Sequence, residues 1–279
     1  MPLVKLNGVE LSYSLTGSGP PLVFVHEFGG DQRSWAPQVT HFAQRFLVLS
    51  YNQRGFAPSS VPQDSREYSQ AILVGDLEHL LTYLDLGPVH LAGCSMGANI
   101  ARDFAIARPD LIRSLILVSA GAGSENRTEF LESQAALAAG LEVYGIGFLV
   151  DNFETVKTRA SFRRKNPRGF AEFLGYVREH DAQACAHLAR EVLMKRKTVP
   201  ELRSELKALS VPALIVVGDR DMPCLSPSLT LHSWIPNAGL AVLPDCGHTP
   251  NLEEPGIFNL LLSDFLASVD SGHWAGWAK

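Results

Sequence analysis

The chain has 279 residues, 46% of them hydrophobic, which is ample for one large core or two small ones. Its formal net charge is −5, and phosphate binding needs a basic surface, so nucleic acid is excluded as an expected partner. No apolar run approaches the roughly 18 residues of a membrane span, and the four cysteines, Cys94, Cys185, Cys224 and Cys246, have neither zinc nor redox spacing.

In chain order, residues 1–8 enter a strand without a basic segment followed by an apolar one, so no signal peptide is expected. The protein reads as cytoplasmic, with reduced thiols, a small-molecule substrate, no membrane partner, and a monomeric or homodimeric state. Pro21–Val25 is an apolar strand that runs into His26-Glu27-Phe28-Gly29-Gly30. Ser34 to Gln44 has helical character, and Ser69 to Leu84 carries apolar residues at 72, 73, 77, 80, 81 and 84, the spacing of a helix with one buried face. Val89-His90-Leu91-Ala92 is a further strand. It meets Gly93-Cys94-Ser95-Met96-Gly97 and then the helix-like Ala98–Phe104. Two glycines around a serine at a strand-to-helix turn are expected where the backbone is strained and its neighbours come too close for a Cβ.

Leu115–Ser119 is another buried strand. From 123 to 206 no strand pattern appears. Helical segments succeed one another, with breaks expected at Gly140, Gly145, Asn166-Pro167, Asp181 and Pro200. Its basic residues, Lys157, Arg159, Arg163, Arg164, Lys165 and Arg168, read as a solvated helix face, with contact to an anionic substrate as the other reading. Pro212 to Gly218 reads as a buried parallel strand leading to Asp219-Arg220-Asp221. Leu240–Leu243 is a short strand whose loop carries Gly247-His248. The pattern is a parallel sheet with helices on both faces, interrupted by an all-helical insertion. Gly121-Ala122-Gly123 lacks the third glycine of a dinucleotide loop, and Gly30 stands where a His-Glu-x-x-His zinc motif needs histidine.

The serine pentapeptide resembles the nucleophile elbow of the α/β-hydrolase superfamily, and the aspartate and histidine loops follow in that family's order. His26–Gly30 resembles its oxyanion loop, in a form similar to a bacterial subgroup, and Tyr51-Asn52-Gln53-Arg54-Gly55-Phe56-Ala57-Pro58-Ser59 resembles its Asp-x-Arg-Gly-x-Gly-x-Ser turn. The resemblance spans about residues 3–269. It implies the α/β-hydrolase fold, a mostly parallel eight-stranded sheet with helices on both faces. The core domain would comprise 1–122 and 207–279, and 123–206 would form a helical cap, or lid. It implies Ser95 as nucleophile, His248 as base and Asp221, three residues after Gly218, as the acid, with Asp219 serving the turn. It implies backbone N–H groups of Phe28 and Met96 as the oxyanion hole, and no metal or organic cofactor.

The activity implied is hydrolysis of a small carboxylic ester or lactone. Amide or carbamate hydrolysis, C–C bond hydrolysis and cofactor-free perhydrolysis use the same three residues, and a ligand receptor on this fold is the non-enzyme alternative. Two departures stand out. Glu27 replaces the usual glycine and Asn52 the usual aspartate, so Glu27 is expected to pair with Arg54, with contact to substrate as the second reading.

Overall fold

The computed structural model describes residues 2–274. Asn7 and Gly8 take φ of 48° and 81° and close a hairpin between β1 (Leu3–Leu6) and β2 (Val9–Gly17), the conformation an Asn-Gly turn favours. Six strands follow: β3 (Pro21–Val25), β4 (Leu47–Tyr51), β5 (Val89–Cys94), β6 (Ile112–Val118), β7 (Ala213–Gly218) and β8 (Ala238–Leu243). Their order is β1-β2-β4-β3-β5-β6-β7-β8. β2 runs antiparallel to β1 and β4, and the other pairs are parallel. This is an α/β-hydrolase fold sheet.

Alternate residues of each strand feed opposite cores. Val23, Leu91, Leu115 and Ile215 pack with the helices Gln70–Tyr83 and Met96–Ala107. Leu22, Ala92, Ile116 and Leu214 pack with Phe42 and with Phe258, Leu262 and Phe265 of the helix Pro255–Asp270. With helices on both faces, β5 and β7 are buried along their whole length.

The topology also positions the site. From β3 the chain crosses to β4 on one side, and from β5 it crosses to β6 on the other. Right-handed crossovers in opposite directions put their helices on opposite faces, which leaves a crevice at the carboxyl ends of β3 and β5. The loop 26–30 and Ser95 emerge there.

Between β6 and β7 the regular elements are all helical, beginning with Arg127–Tyr144 and Ile146–Thr155. Four expected breaks coincide with caps or starts. Gly145, at φ 73°, separates the first two helices; Asn166 and Asp181 accept from Gly169 N–H (2.9 Å) and Ala184 N–H (2.8 Å); Pro200 opens a short turn. Gly140 is not a break. The first helix passes through it, and its missing Cβ makes room for the Phe148 ring. No helix among the described residues is long and apolar enough to cross a membrane.

Candidate active site

β5 ends at Cys94 and the next helix starts at Met96, so Ser95 alone makes the turn. Its φ of 53° and ψ of −110° are rare for a residue with a side chain. Surrounding bonds hold it there. Its N–H donates to the Val118 carbonyl (2.8 Å), and its carbonyl accepts from Asn99 N–H (3.1 Å) and Asn99 Nδ2 (2.8 Å). A Cβ at Gly93 would strike the Gly97 carbonyl, and one at Gly97 would strike the carbonyls of Val25 and His26. Helix, elbow and β3 therefore approach more closely than any residue but glycine permits.

His248 Nε2 lies 2.8 Å from Ser95 Oγ, and its Nδ1 lies 2.8 Å from Asp221 Oδ2. A carboxylate only accepts, so Nδ1 carries the ring proton and Nε2 is left to accept from the serine hydroxyl. Asp221 is fully buried, whereas Asp219 turns to accept from Cys246 N–H (3.2 Å), fastening the β7 loop to the histidine loop. The histidine loop has two further anchors. His248 N–H donates to the Thr158 carbonyl (2.9 Å), and the buried Glu253 accepts from Gly247 N–H (2.9 Å) and Ser161 Oγ (2.7 Å).

Two thiols adjoin this line. Burial, and secondarily Glu27 for Cys94 and Asp221 for Cys224, raises both thiols well above their ordinary value, so both stay protonated. Asp221, Cys224 and His248 bring potential ligand atoms within 4.8 Å of one another. The acid and the histidine are bonded to each other, and Cys224 donates to the Ser119 carbonyl (3.2 Å).

The loop after β3 turns at Glu27–Gly30, closed by Gly30 N–H to the Glu27 carbonyl (3.3 Å), with Gly29 at φ 77°. His26 braces it. Its Nδ1 donates to the Glu27 carbonyl (2.8 Å) and its Nε2 accepts from Gln53 N–H (3.1 Å), while Gln53 Nε2 donates to the His26 carbonyl (2.6 Å). Burial lowers the pKa of His26 to about 4, so the ring is neutral and this tautomer is fixed. Phe28 borders the same cavity as Ser95, and the Met96 N–H stands in the first helical turn, where amides lack intrahelical acceptors.

The expected Glu27–Arg54 pair does not form. Arg54 is buried and binds both oxygens of Asp76 (2.6 and 2.7 Å), with Glu67 at 3.3 Å. Asp76 lies on the helix Gln70–Tyr83, so the charge balance of the Asn52–Ser59 turn is met from outside the turn. Glu27 accepts instead from Ser34 Oγ (2.9 Å) while its second oxygen has no hydrogen-bond partner among the described residues. The space for this carboxyl comes from Gly30, where a Cβ would meet Glu27 Oε1 and Ser34 Oγ. Burial raises its pKa, opposed by the nearby Arg159 charge.

Ser95, His248 and Asp221 border a cavity of about 300 Å³ beneath the helical segment. Arg159 and Arg196 also line it; Arg159 was expected on a solvated face, with substrate contact only as the other reading of its stretch, and Arg196 was assigned no role. Among the basic residues read as a solvated face, Arg159 is buried while Lys157, Arg163, Arg164 and Arg168 are exposed. The hint was the neighbouring aromatics. The Arg159 guanidinium lies 4.2 Å from the Phe153 ring centre and 4.6 Å from that of Phe173. Glu253 was also missed, and its spacing from His248 carried no signal.

Known proteins share this architecture. An enol-lactonase from Burkholderia xenovorans LB400 superposes with a TM-score of 0.85 at 26% identity, covering 95% of this chain and 100% of the other. A thermophilic esterase from Thermogutta terrifontis superposes with a TM-score of 0.84 at 27% identity, covering 96% and 97%. A 2-hydroxymuconate semialdehyde hydrolase from Pseudomonas sp. (strain CF600) is 27% identical over 279 residues, covering 95% of this chain and 93% of that protein. The family model described as the alpha/beta hydrolase fold matches residues 20–255. That match takes in the serine, acid and histidine loops together with most of the sheet, and the chain belongs to the α/β-hydrolase fold family.

Proposed function

We propose that the protein is a serine hydrolase that cleaves a small carboxylic ester or lactone through an acyl-enzyme. The observation that carries this reading is the continuous line from Ser95 Oγ through His248 to Asp221, with both hydrogen bonds at 2.8 Å and the serine on a cavity. A serine hydroxyl is a weak nucleophile at neutral pH. His248 takes its proton as Oγ attacks the carbonyl carbon, then gives that proton to the departing alkoxide. Asp221 holds the tautomer and stabilises the imidazolium. The Phe28 and Met96 N–H groups receive the oxyanion, the latter aided by the positive end of its helix. Water, deprotonated by His248, then releases the acid and restores Ser95.

The helical segment 123–206 serves as a cap that excludes water and shapes the pocket. The similar esterase and enol-lactonase support the ester and lactone class. The similar 2-hydroxymuconate semialdehyde hydrolase gives C–C bond hydrolysis as the second reading. Against it stand Cys94 and Ala98, which depart from the Asn-Ser-Met-Gly-Gly pattern usual in C–C hydrolases. The test is a panel of p-nitrophenyl esters, simple lactones and a vinylogous diketone. Turnover of an ester or lactone that disappears in Ser95→Ala supports the first reading. Turnover of the diketone alone replaces it with the second.

A further inference from the structure

The cavity bordered by Ser95 is cationic in a protein of net charge −5. Its lining includes Arg159 and Arg196, and Asp221, the acid among the lining residues, is hydrogen-bonded to His248. Both arginines are nearly inaccessible, with relative exposures of 3% and 6%. Burying a guanidinium without a counter-ion costs several kcal/mol, so such a group calls for a partner.

Arg159 has no such partner among the described residues. Among the described residues its side chain makes no hydrogen bond and no ion pair, and its Nη1 is buried without an acceptor. Two phenylalanine rings support the guanidinium and leave its N–H edge uncommitted. Glu27 is its leading charged neighbour but spends one oxygen on Ser34, and burial favours its neutral form. Arg196 gives one N–H to the Ala122 carbonyl (3.0 Å), and its Nη1 is likewise buried without an acceptor. The charged neighbours of Arg159 include Glu27, Glu253 and Asp221, whereas those of Arg196 include Arg102, Arg127 and Asp103, so the two cations occupy different parts of the lining.

We propose that the substrate carries a carboxylate and that Arg159 receives it, with Arg196 as a second cationic contact in the same cavity. This rests on the hydrolase reading and narrows it to half-esters of dicarboxylic acids, or lactones bearing a carboxylate. A planar guanidinium suits this task because it offers paired donors to the two oxygens of a carboxylate and stays charged when buried. The carboxylate is not the group cleaved, so the contact serves to hold and orient the substrate.

The test begins with binding, which does not depend on turnover. Adipate and its neutral analogue adipamide are titrated calorimetrically into the unaltered protein and into Ser95→Ala. Adipate is expected to bind tighter by about tenfold or more, the worth of one charge-assisted hydrogen bond. Equal binding, or none by adipate, overturns the proposal. In Arg159→Met the adipate affinity should fall by about tenfold or more while adipamide binding changes less. Equal losses for both ligands would make Arg159 a brace for the cap and overturn its assignment. If Arg159→Met does not fold, the adipate-to-adipamide comparison in the unaltered protein and in Arg196→Met decides. Kinetics then compare ethyl hydrogen adipate with ethyl hexanoate. The half-ester should have the higher kcat/KM, chiefly through KM, and Arg159→Met should reduce that preference. If neither ester is hydrolysed, the esterase reading is in difficulty, and the titrations still decide the carboxylate site.

Discussion

His248 donates its backbone N–H to the Thr158 carbonyl at 2.9 Å, tying the proposed base directly to the helical segment, one residue from Arg159. The same contact explains Gly247, where a Cβ would strike the Thr158 carbonyl. The proposed chemistry and the proposed substrate contact are therefore joined through one backbone hydrogen bond.

The two aspartates after β7 should separate cleanly. Asp221→Asn puts an amide opposite His248 Nδ1 and favours the wrong tautomer, so kcat for the best ester should fall by about 10⁴. Asp219→Asn keeps an oxygen for Cys246 N–H and should stay within a few-fold of the unaltered enzyme. Steady-state kinetics on both variants checks this, and the reverse ranking would reassign the acid.

The Arg54–Asp76 ion pair is buried on both sides. Asp76→Asn leaves a buried guanidinium short of its counter-ion and should destabilise the fold by about 3–5 kcal/mol in denaturant unfolding. Glu27→Gln keeps an acceptor for Ser34 Oγ and does not touch the Arg54 pair, so its effect on stability should be much smaller. Comparable losses in the two variants would return Glu27 to the role first expected of it.

How much was legible follows from how local each constraint is. The elbow was readable because Gly93 and Gly97 answer contacts set by the turn itself. The strands were readable because buried parallel strands are continuous apolar runs, as Ala213–Gly218 illustrates. The partner of Arg54 was not readable, since Asp76 lies 22 residues away on a helix whose placement depends on the sheet. Nor does local sequence pick the arginine of the 157–168 stretch that turns inward, because that depends on where Phe153 and Phe173 pack. Gly140 likewise looked like a helix break and proved to be a seat for Phe148.

Stability should fall in acid through His26. Its ordinary pKa of 6.5 drops to about 4 in the fold, so between these values the unfolded chain binds more protons and stability decreases as pH falls. The contribution is fully present above pH 6.5 and is on the order of 3 kcal/mol. His90 is pushed the same way, chiefly by burial. His26→Asn should flatten the slope of unfolding free energy between pH 6.5 and 4 in urea titrations, and an unchanged slope would show that His26 does not set the acid sensitivity.

Glu253 is the test of the histidine loop. Glu253→Ala leaves Gly247 N–H and Ser161 Oγ without their acceptor, and burying an unpaired donor costs about 1–3 kcal/mol. Both the melting temperature and kcat should drop, while Glu253→Gln, which keeps one acceptor oxygen, should recover part of each. A Glu253→Ala enzyme with unaltered melting and kcat would show that the loop holds without this anchor.

Covalent capture with a fluorophosphonate, followed by peptide mass spectrometry, asks whether Ser95 is the nucleophile. One adduct is expected, on Ser95, formed in step with loss of esterase activity and absent from Ser95→Ala, whose kcat is lower by roughly 10⁴–10⁶. An adduct elsewhere, or a Ser95→Ala variant that keeps about a tenth of the activity, would contradict that role.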